Sequence, residues 1–252
     1  MRLKNILKAI GFDPHIFATD IKNTPRFLRD LRAFRAKSAK SEHKLPLTLK
    51  PMLGDFNEDA GVASGHYFLQ DLWAARKIYE RRPEKHLDIG SAVGSFVAHV
   101  LSFMPVTLID IRPLSSKVKG LTYIQDDATD LKGFADDSVD SLSCLHAVEH
   151  FGLGRYGDPI DPEGSFKAMR AMARVLKPGG RLYLSMPVGR ERVEFNSQRI
   201  ISPGTVMETL KDLKLVSFSA VNDAGDFLEN QDWAKYADSR YACGMFEFTK
   251  AS

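Results

Sequence analysis

The stretch HLDIGSAVGSF, residues 86–96, decides how the chain is read. A short apolar run ends in Gly90, small residues follow, and SFVAHVLSF continues from Ser95 as a segment of helical character. That is the pattern of a strand turning directly into a helix. The glycines stand as G-x-x-x-G, with Ala92 and Ser95 where a dinucleotide-binding turn carries its second and third glycines. The second glycine of such a turn lets the backbone approach a pyrophosphate. A nicotinamide or flavin dinucleotide is therefore disfavoured.

The same alternation runs outward from this turn. Upstream, GHYFLQDLWAARKIYERR reads as a helix with Phe68, Leu72, Ala75, Ile78 and Tyr79 on one face, ended by Pro83. Downstream, PVTLIDI (105–111), LTYIQDD (121–127) and VDSLSCLHA (139–147) read as strands. PEGSFKAMRAMARVL reads as a helix stopped by KPGG, RLYLSMPV as a strand, and SPGTVMETLKDL as a helix with a Ser-Pro start. KLVSFSAVN and ACGMFEFTK close the chain as strands. Strands separated by helix-length segments predict a mostly parallel α/β sheet with helices on both faces.

In such a sheet ligands lie beyond the carboxyl ends of the strands. Asp88 stands two residues before Gly90, and Asp110 ends the next strand, 20 residues after Gly90, where a carboxylate can accept both hydroxyls of a ribose. Asp127 and Ala128 follow the third strand, where a carboxylate can accept from an adenine amino group.

With these residues in place the chain resembles the class I S-adenosylmethionine (SAM)-dependent methyltransferases. HLDIGSAVG is similar to their first motif, with Ala92 for the usual middle glycine, and LIDIRP to the second. DDATDLKGFADDSVDSLSCLHAVEHF is similar to the third and fourth motifs, and ARVLKPGGRLYLSMP to the approach to the fifth strand. The resemblance spans roughly residues 63–250. It implies a Rossmann-like sheet of seven mostly parallel strands, SAM as cofactor, and Asp88, Gly90, Ser91, Gly94, Asp110, Ile111, Asp126, Asp127, Ala128 and Leu145 as cofactor-binding positions. It also implies that the helix carrying Tyr67 and Gln70 closes over the methionine end of SAM. More narrowly, GVASGHYFLQDLWAA, HAVEHFGLGRYGDPIDPEG and EFNSQRIISP look like a branch often found in bacterial surface-polysaccharide gene clusters, which implies O-methylation of a sugar or glycan acceptor.

HAVEH, His146–His150, also fits H-x-x-E-H, a zinc-peptidase pattern when both histidines share a helix face. Gly152 and Gly154 follow at once and no third ligand is apparent, which argues against a peptidase. Some hydroxyl-directed methyltransferases bind magnesium here through a carboxylate-x-x-Glu-His variant. His146 stands in place of that first carboxylate, and a hard cation prefers oxygen, so no metal is assigned and only a softer divalent ion is left conceivable. The favoured role is acid–base: an alcohol must lose its proton as it attacks a methyl group, and a histidine suits that near neutral pH. His150 and His146 are the catalytic candidates, with Glu149 orienting one of them. The glycine-rich loop GLGRYGDPIDPEG offers Arg155, Tyr156, Asp158 and Asp161 to an acceptor, and the segment after the fifth strand offers Arg190, Asn196 and Arg199.

The 252 residues, 44% hydrophobic and 27% charged, suffice for one large domain plus an appendage. Two cysteines, Cys144 and Cys243, far apart and without a C-x-x-C partner, argue against a disulfide framework and against a cysteine zinc site. No apolar run suggests a signal peptide or a membrane span, so a cytoplasmic protein is expected. Residues 1–44 carry eleven lysines and arginines against four acidic residues, a net +7, whereas the remainder is net −4. The expected organisation is a basic helical arm over 1–44, a linker over 45–62 and the catalytic domain over 63–252. In PRFLRDLRAFR, Phe27, Leu28, Leu31 and Phe34 share one helical face, which either packs on the domain or meets an anionic inner-membrane surface or the glycosyltransferases working there. Nucleic acid is not an expected partner, because SCLHAVEH lacks the motif of base-methylating enzymes. The rival reading is a SAM-fold scaffold without catalysis in glycan assembly; a third is a small-molecule methyltransferase.

Overall fold

The computed structural model describes residues 13–251. The chain forms two compact units that divide between Val62 and Ala63. The first holds helix α1 (Pro14–Ser38), capped by the Asp13 side chain accepting from the His15 amide. Asn23 is buried and donates to the Leu53 carbonyl at 2.8 Å, tying α1 to the extended segment that follows. Residues 1–12 of the expected arm, with Arg2, Lys4 and Lys8, lie outside the described residues.

The second unit is built on one sheet. Its strands are β1 (His86–Ile89), β2 (Val106–Asp110), β3 (Leu121–Gln125), β4 (Val139–Leu145) and β5 (Leu176–Val188), then β8 (Leu213–Val221), β9 (Phe227–Leu228) and β10 (Ala242–Lys250). β6 (Arg192–Glu194) and β7 (Gln198–Ile200) form a separate hairpin. The sheet order is β3-β2-β1-β4-β5-β10-β8-β9, with β10 antiparallel to both neighbours. The chain leaves β1 toward β2 on one side and later returns to place β4 on the other. This order reversal opens a crevice at the carboxyl ends of β1 and β4.

The expected seven strands are eight, in a mixed sheet. The added strand is β9, only two residues long and turned back onto β8 by Asn222, whose Oδ1 accepts from the amides of Ala224 and Asp226. KPGG does not stop a helix before a loop; it lies inside β5. The helix expected from Ser95 is a π-turn, Val93–Val97, running into the short α3 (Ala98–Leu101).

Helices bury both faces. On one, α2 (His66–Arg81) sets Trp73, Ala74 and Ile78 with Phe96 and Val100 against Val106, Leu108, Tyr183 and Met245. On the other, α4 (Gly164–Val175) and α5 (Pro203–Thr209) set Met169, Met172 and Val206 with Leu142, Leu184 and Phe246. Each large apolar side chain so buried contributes about 1.5–3 kcal/mol. β4 is covered on both sides, which is why SLSCL reads as a run without alternation. Among the described residues no helix is long and apolar enough to cross a membrane.

Candidate active site

The turn after β1 is shaped by two requirements. Gly90 has φ +72°, and a Cβ there would lie 2.9 Å from that of Ala147, so only glycine fits. Asp88 is fully buried and accepts from the Ser91 amide at 3.0 Å, the Ser91 hydroxyl at 2.8 Å and the Ser143 hydroxyl at 2.5 Å. Burial pushes its carboxyl up to about 6, against the lowering pull of those hydrogen bonds. Asp88 thus holds the turn and does not line the cleft, and Gly94, in the π-turn, does not line it either.

Two contiguous clefts meet over this turn. One is lined by Asp110, Ile111, Asp126, Asp127 and Ala128, the other by Tyr67, Gln70, Ser91 and Leu145. Gly90, Asp110, Arg112, His146, His150 and Tyr156 border both. The Asp110 carboxylate, expected open for ribose hydroxyls, is engaged by Arg112, whose amide, Nε and Nη2 donate at 2.9, 2.9 and 2.5 Å. The same guanidinium lies 4.6 Å from the centre of the Tyr156 ring. Asp127 accepts from the Thr129 amide and hydroxyl at 2.9 and 2.5 Å, and Asp126 accepts from the Asp127 amide.

HAVEH is not helical beyond the single 3-10 turn Val148–His150, so the peptidase geometry is absent. His146, with φ +47°, leaves β4 while its amide still bonds the Ser185 carbonyl of β5. Its Nδ1 donates to Glu149 Oε1 at 2.8 Å in a fully buried setting. Burial lowers its affinity for a proton, but the Glu149 carboxylate and the neighbouring Cys243 outweigh this and push it up to about 10. His150 differs: its Nδ1 donates to the Ser197 carbonyl at 2.7 Å, leaving Nε2 as the basic nitrogen, and burial lowers its pKa below the ordinary 6.5. His150 Nε2 lies 3.8 Å from Glu149 Oε1.

Of the loop and hairpin residues expected at the acceptor, only Tyr156 and Asp158 border the cleft. The Asp158 carboxylate is occupied by the amides of Gly152, Gly154 and Tyr156. Arg155 donates to the Ser197 carbonyl at 3.0 Å. Asp161 pairs with Lys167 at 2.7 Å, and Arg190 lies 3.8 Å from Asp238 at the surface. Asn196 is exposed in the connection between β6 and β7. Arg199 is no acceptor ligand: it is 4% exposed and donates to the carbonyls of Phe151, Asp161 and Pro162 and to the Ser165 hydroxyl. It clamps the loop to α4.

Four residues to which the sequence assigns no role in the site complete the neighbourhood. Arg112 follows Asp110. His86 bridges Ser141 and Ser143 under the turn. His66, at the start of α2, stacks on Tyr241 with ring centres 5.0 Å apart, and Cys243 lies buried at the start of β10. Their distance along the chain from HAVEH leaves no local signal for the last two.

A family profile described as "Caenorhabditis protein of unknown function, DUF268" matches residues 112–227. The ubiquinone/menaquinone biosynthesis C-methyltransferase UbiE of Bdellovibrio bacteriovorus is 35% identical over 97 residues, covering 35% of this chain and 36% of that enzyme. Among solved structures, a putative sarcosine dimethylglycine methyltransferase from Galdieria sulphuraria aligns with TM-score 0.53 and 14% identity over 73% of this chain and 86% of its own. The N-methyltransferase NodS from Bradyrhizobium japonicum, in complex with S-adenosyl-L-homocysteine, aligns with TM-score 0.50 and 16% identity over 74% and 88%. The cyclase SpnF aligns equally well, with TM-score 0.50 and 18% identity over 72% and 81%, so the fold by itself does not fix the reaction. The chain has the Rossmann-like α/β fold of the class I SAM-dependent methyltransferases.

Proposed function

We propose that this protein transfers a methyl group from SAM to a hydroxyl of a sugar in a bacterial surface polysaccharide or its lipid- or nucleotide-linked precursor. The observation that carries the reading is a juxtaposition: the Gly90 turn, the Asp110 carboxylate and His150 border one cleft at the carboxyl ends of β1 and β4. The residues fit the cofactor. A Cβ at Gly90 would fill the turn, and Asp110 and Asp127 offer carboxylates of the kind that ribose hydroxyls and an adenine amine require. When bound, SAM supplies an electrophilic methyl group on a sulfonium. The chain's own work is to align the acceptor oxygen with it and to take the oxygen's proton. His150 suits the second task, because its Nδ1–H is fixed on the Ser197 carbonyl and Nε2 carries the free lone pair. Glu149 stands near enough to favour the imidazolium that forms. Tyr156, on the loop and bordering the cleft, is the acceptor contact.

The sugar class is supported by the resemblance of EFNSQRIISP and the loop motif to the polysaccharide-cluster branch. Lys22, Arg26, Arg29, Arg32, Arg35 and Lys37 of α1 suit an anionic inner-membrane surface, where lipid-linked precursors are built. Loss of liposome binding on deleting residues 1–44 tests that part.

Calorimetric titration with S-adenosylhomocysteine tests the cofactor. Binding in the micromolar range, weakened tenfold or more in Asp110→Ala, is the expected result, since a hydrogen bond to a charged carboxylate contributes about 1.5–3 kcal/mol. Wild-type protein that does not bind would overturn the reading and favour the scaffold role, to which the Arg112 grip on Asp110 lends some weight.

A further inference from the structure

Beside the cleft, three side chains from distant parts of the chain converge: His66 from the start of α2, His146 from the end of β4 and Cys243 from the start of β10. One ligand atom of each lies within 4.8 Å of the other two. His146 Nε2 is buried without a hydrogen-bond partner among the described residues, facing a thiol that is at best a weak acceptor. A buried ring nitrogen left in this way needs an explanation, and an ion is one of the few available. Its other nitrogen, Nδ1, donates to Glu149 at 2.8 Å. A carboxylate behind a histidine, holding Nδ1–H so that the far nitrogen presents a lone pair once any proton on it is displaced, is the outer arrangement of metal-ligating histidines.

We propose that His66, His146 and Cys243 bind one zinc ion, with Glu149 positioning His146. Two imidazoles and a thiolate match a borderline-soft divalent cation and not magnesium or calcium. Ligand atoms around tetrahedral zinc lie about 3.4–3.6 Å apart, so the three donors close in by roughly an ångström. His66 is half-buried at the start of α2, its ring already 5.3 Å from that of His146, centre to centre. The thiol proton of Cys243 and any proton on His146 Nε2 leave to solvent as the metal–sulfur and metal–nitrogen bonds form. Three protein ligands leave a fourth position for water or an acceptor oxygen. That the fourth position serves the acceptor rests on the methyltransferase reading; the ion's binding does not. Zinc there would lower the pKa of the coordinated hydroxyl, with His150 receiving the released proton.

The test uses full-length protein stripped of metal and titrated with cobalt(II), whose spectrum reports thiolate ligation and tetrahedral geometry. The expected result is one cobalt per chain, with a sulfur-to-metal charge-transfer band, displaced by one equivalent of zinc. Cys243→Ser abolishes that band, whereas Cys144→Ser, in β4 on the opposite face of the sheet, retains it. His66→Ala removes a side chain that is only partly buried at a helix start, so it provides a folded variant should Cys243→Ser fail to fold; it weakens binding at least tenfold. Glu149→Gln weakens binding about 10–100-fold. Absence of the band in wild type, its survival in Cys243→Ser, or unchanged affinity in His66→Ala overturns the site. Titration of the metal-free protein with S-adenosylhomocysteine keeps the two readings apart: a cofactor bound without any cobalt band leaves the methyltransferase standing and the zinc site refuted.

Discussion

The Ser143 hydroxyl donates to the Asp88 carboxylate at 2.5 Å, from β4 to the adjacent strand β1. Its oxygen lies 2.8 Å from His86 Nε2, whose Nδ1 lies 2.8 Å from the Ser141 hydroxyl. With Ser143 donating to Asp88, His86 donates from Nε2; burial keeps the imidazole neutral, so Nδ1 accepts from the Ser141 hydroxyl. Burial pushes His86 down to about 3 and Asp88 up to about 6.

These shifts act on stability in opposite senses. Below the ordinary histidine value of 6.5 the unfolded chain protonates His86 first, so acidification destabilises the fold until about pH 3. Between about 6 and the ordinary aspartate value of 3.8 the folded chain protonates Asp88 first, so acidification stabilises it. Each slope is about 1.4 kcal/mol per pH unit, and from about pH 6 to 4 they cancel. Asp88→Asn leaves the histidine slope alone. Relative to wild type, its urea-unfolding stability falls by roughly 3 kcal/mol over that range. Parallel pH profiles for the two proteins would refute the pairing.

Gly90→Ala tests the turn. The added methyl group meets Ala147, and alanine is strained at this φ. The variant loses about 1–3 kcal/mol in denaturant unfolding, and its affinity for S-adenosylhomocysteine falls as the turn shifts. A variant of wild-type stability would mean that the turn is roomier than described.

Arg199→Met removes the clamp beneath the loop. The carbonyls of Phe151 and Pro162 lose a donor, while that of Asp161 keeps the Gly164 amide, and a part-buried acceptor left unpaired costs about 1–3 kcal/mol before relaxation. We expect about 3 kcal/mol of destabilisation overall, with protease cleavage appearing first within residues 152–164. Cleavage elsewhere would argue against the clamp.

On the proposed reading, His150 sets the pH dependence of methyl transfer. Burial lowers its pKa below 6.5, so the base form is in place at neutral pH. The rate constant kcat/KM falls on the acid side with a midpoint below 6.5, and His150→Ala loses about 10²–10⁴ in kcat while binding S-adenosylhomocysteine normally. A variant with an unchanged acid limb would assign the base elsewhere.

The strands and the turn after β1 were legible because burial on both faces writes continuous apolar runs, as in LIDI and SLSCL, and because Gly90 marks a conformation other residues avoid. β9 was not legible, since two residues carry no period. Arg199 shows a different gap. An arginine in the segment after the fifth strand suggests an acceptor contact, but only tertiary structure reveals that backbone carbonyls take its hydrogen bonds. Asp110 was identified from its place at a strand end, whereas its grip by Arg112, two residues on, depends on the bend after β2, which composition does not encode. His66 and Cys243 join His146 only through the packing of α2 and β10 beside β4.

Arg112 links the carboxylate at the end of β2 to the Tyr156 ring on the loop after β4, and the Tyr123 hydroxyl holds its carbonyl from β3. A ligand heading for Asp110 meets a latch, and entry waits for the latch to open. In rapid-mixing experiments the observed association rate therefore levels off at high ligand concentration, at a ceiling equal to the opening rate. Arg112→Ala removes the ceiling and restores a linear dependence on concentration.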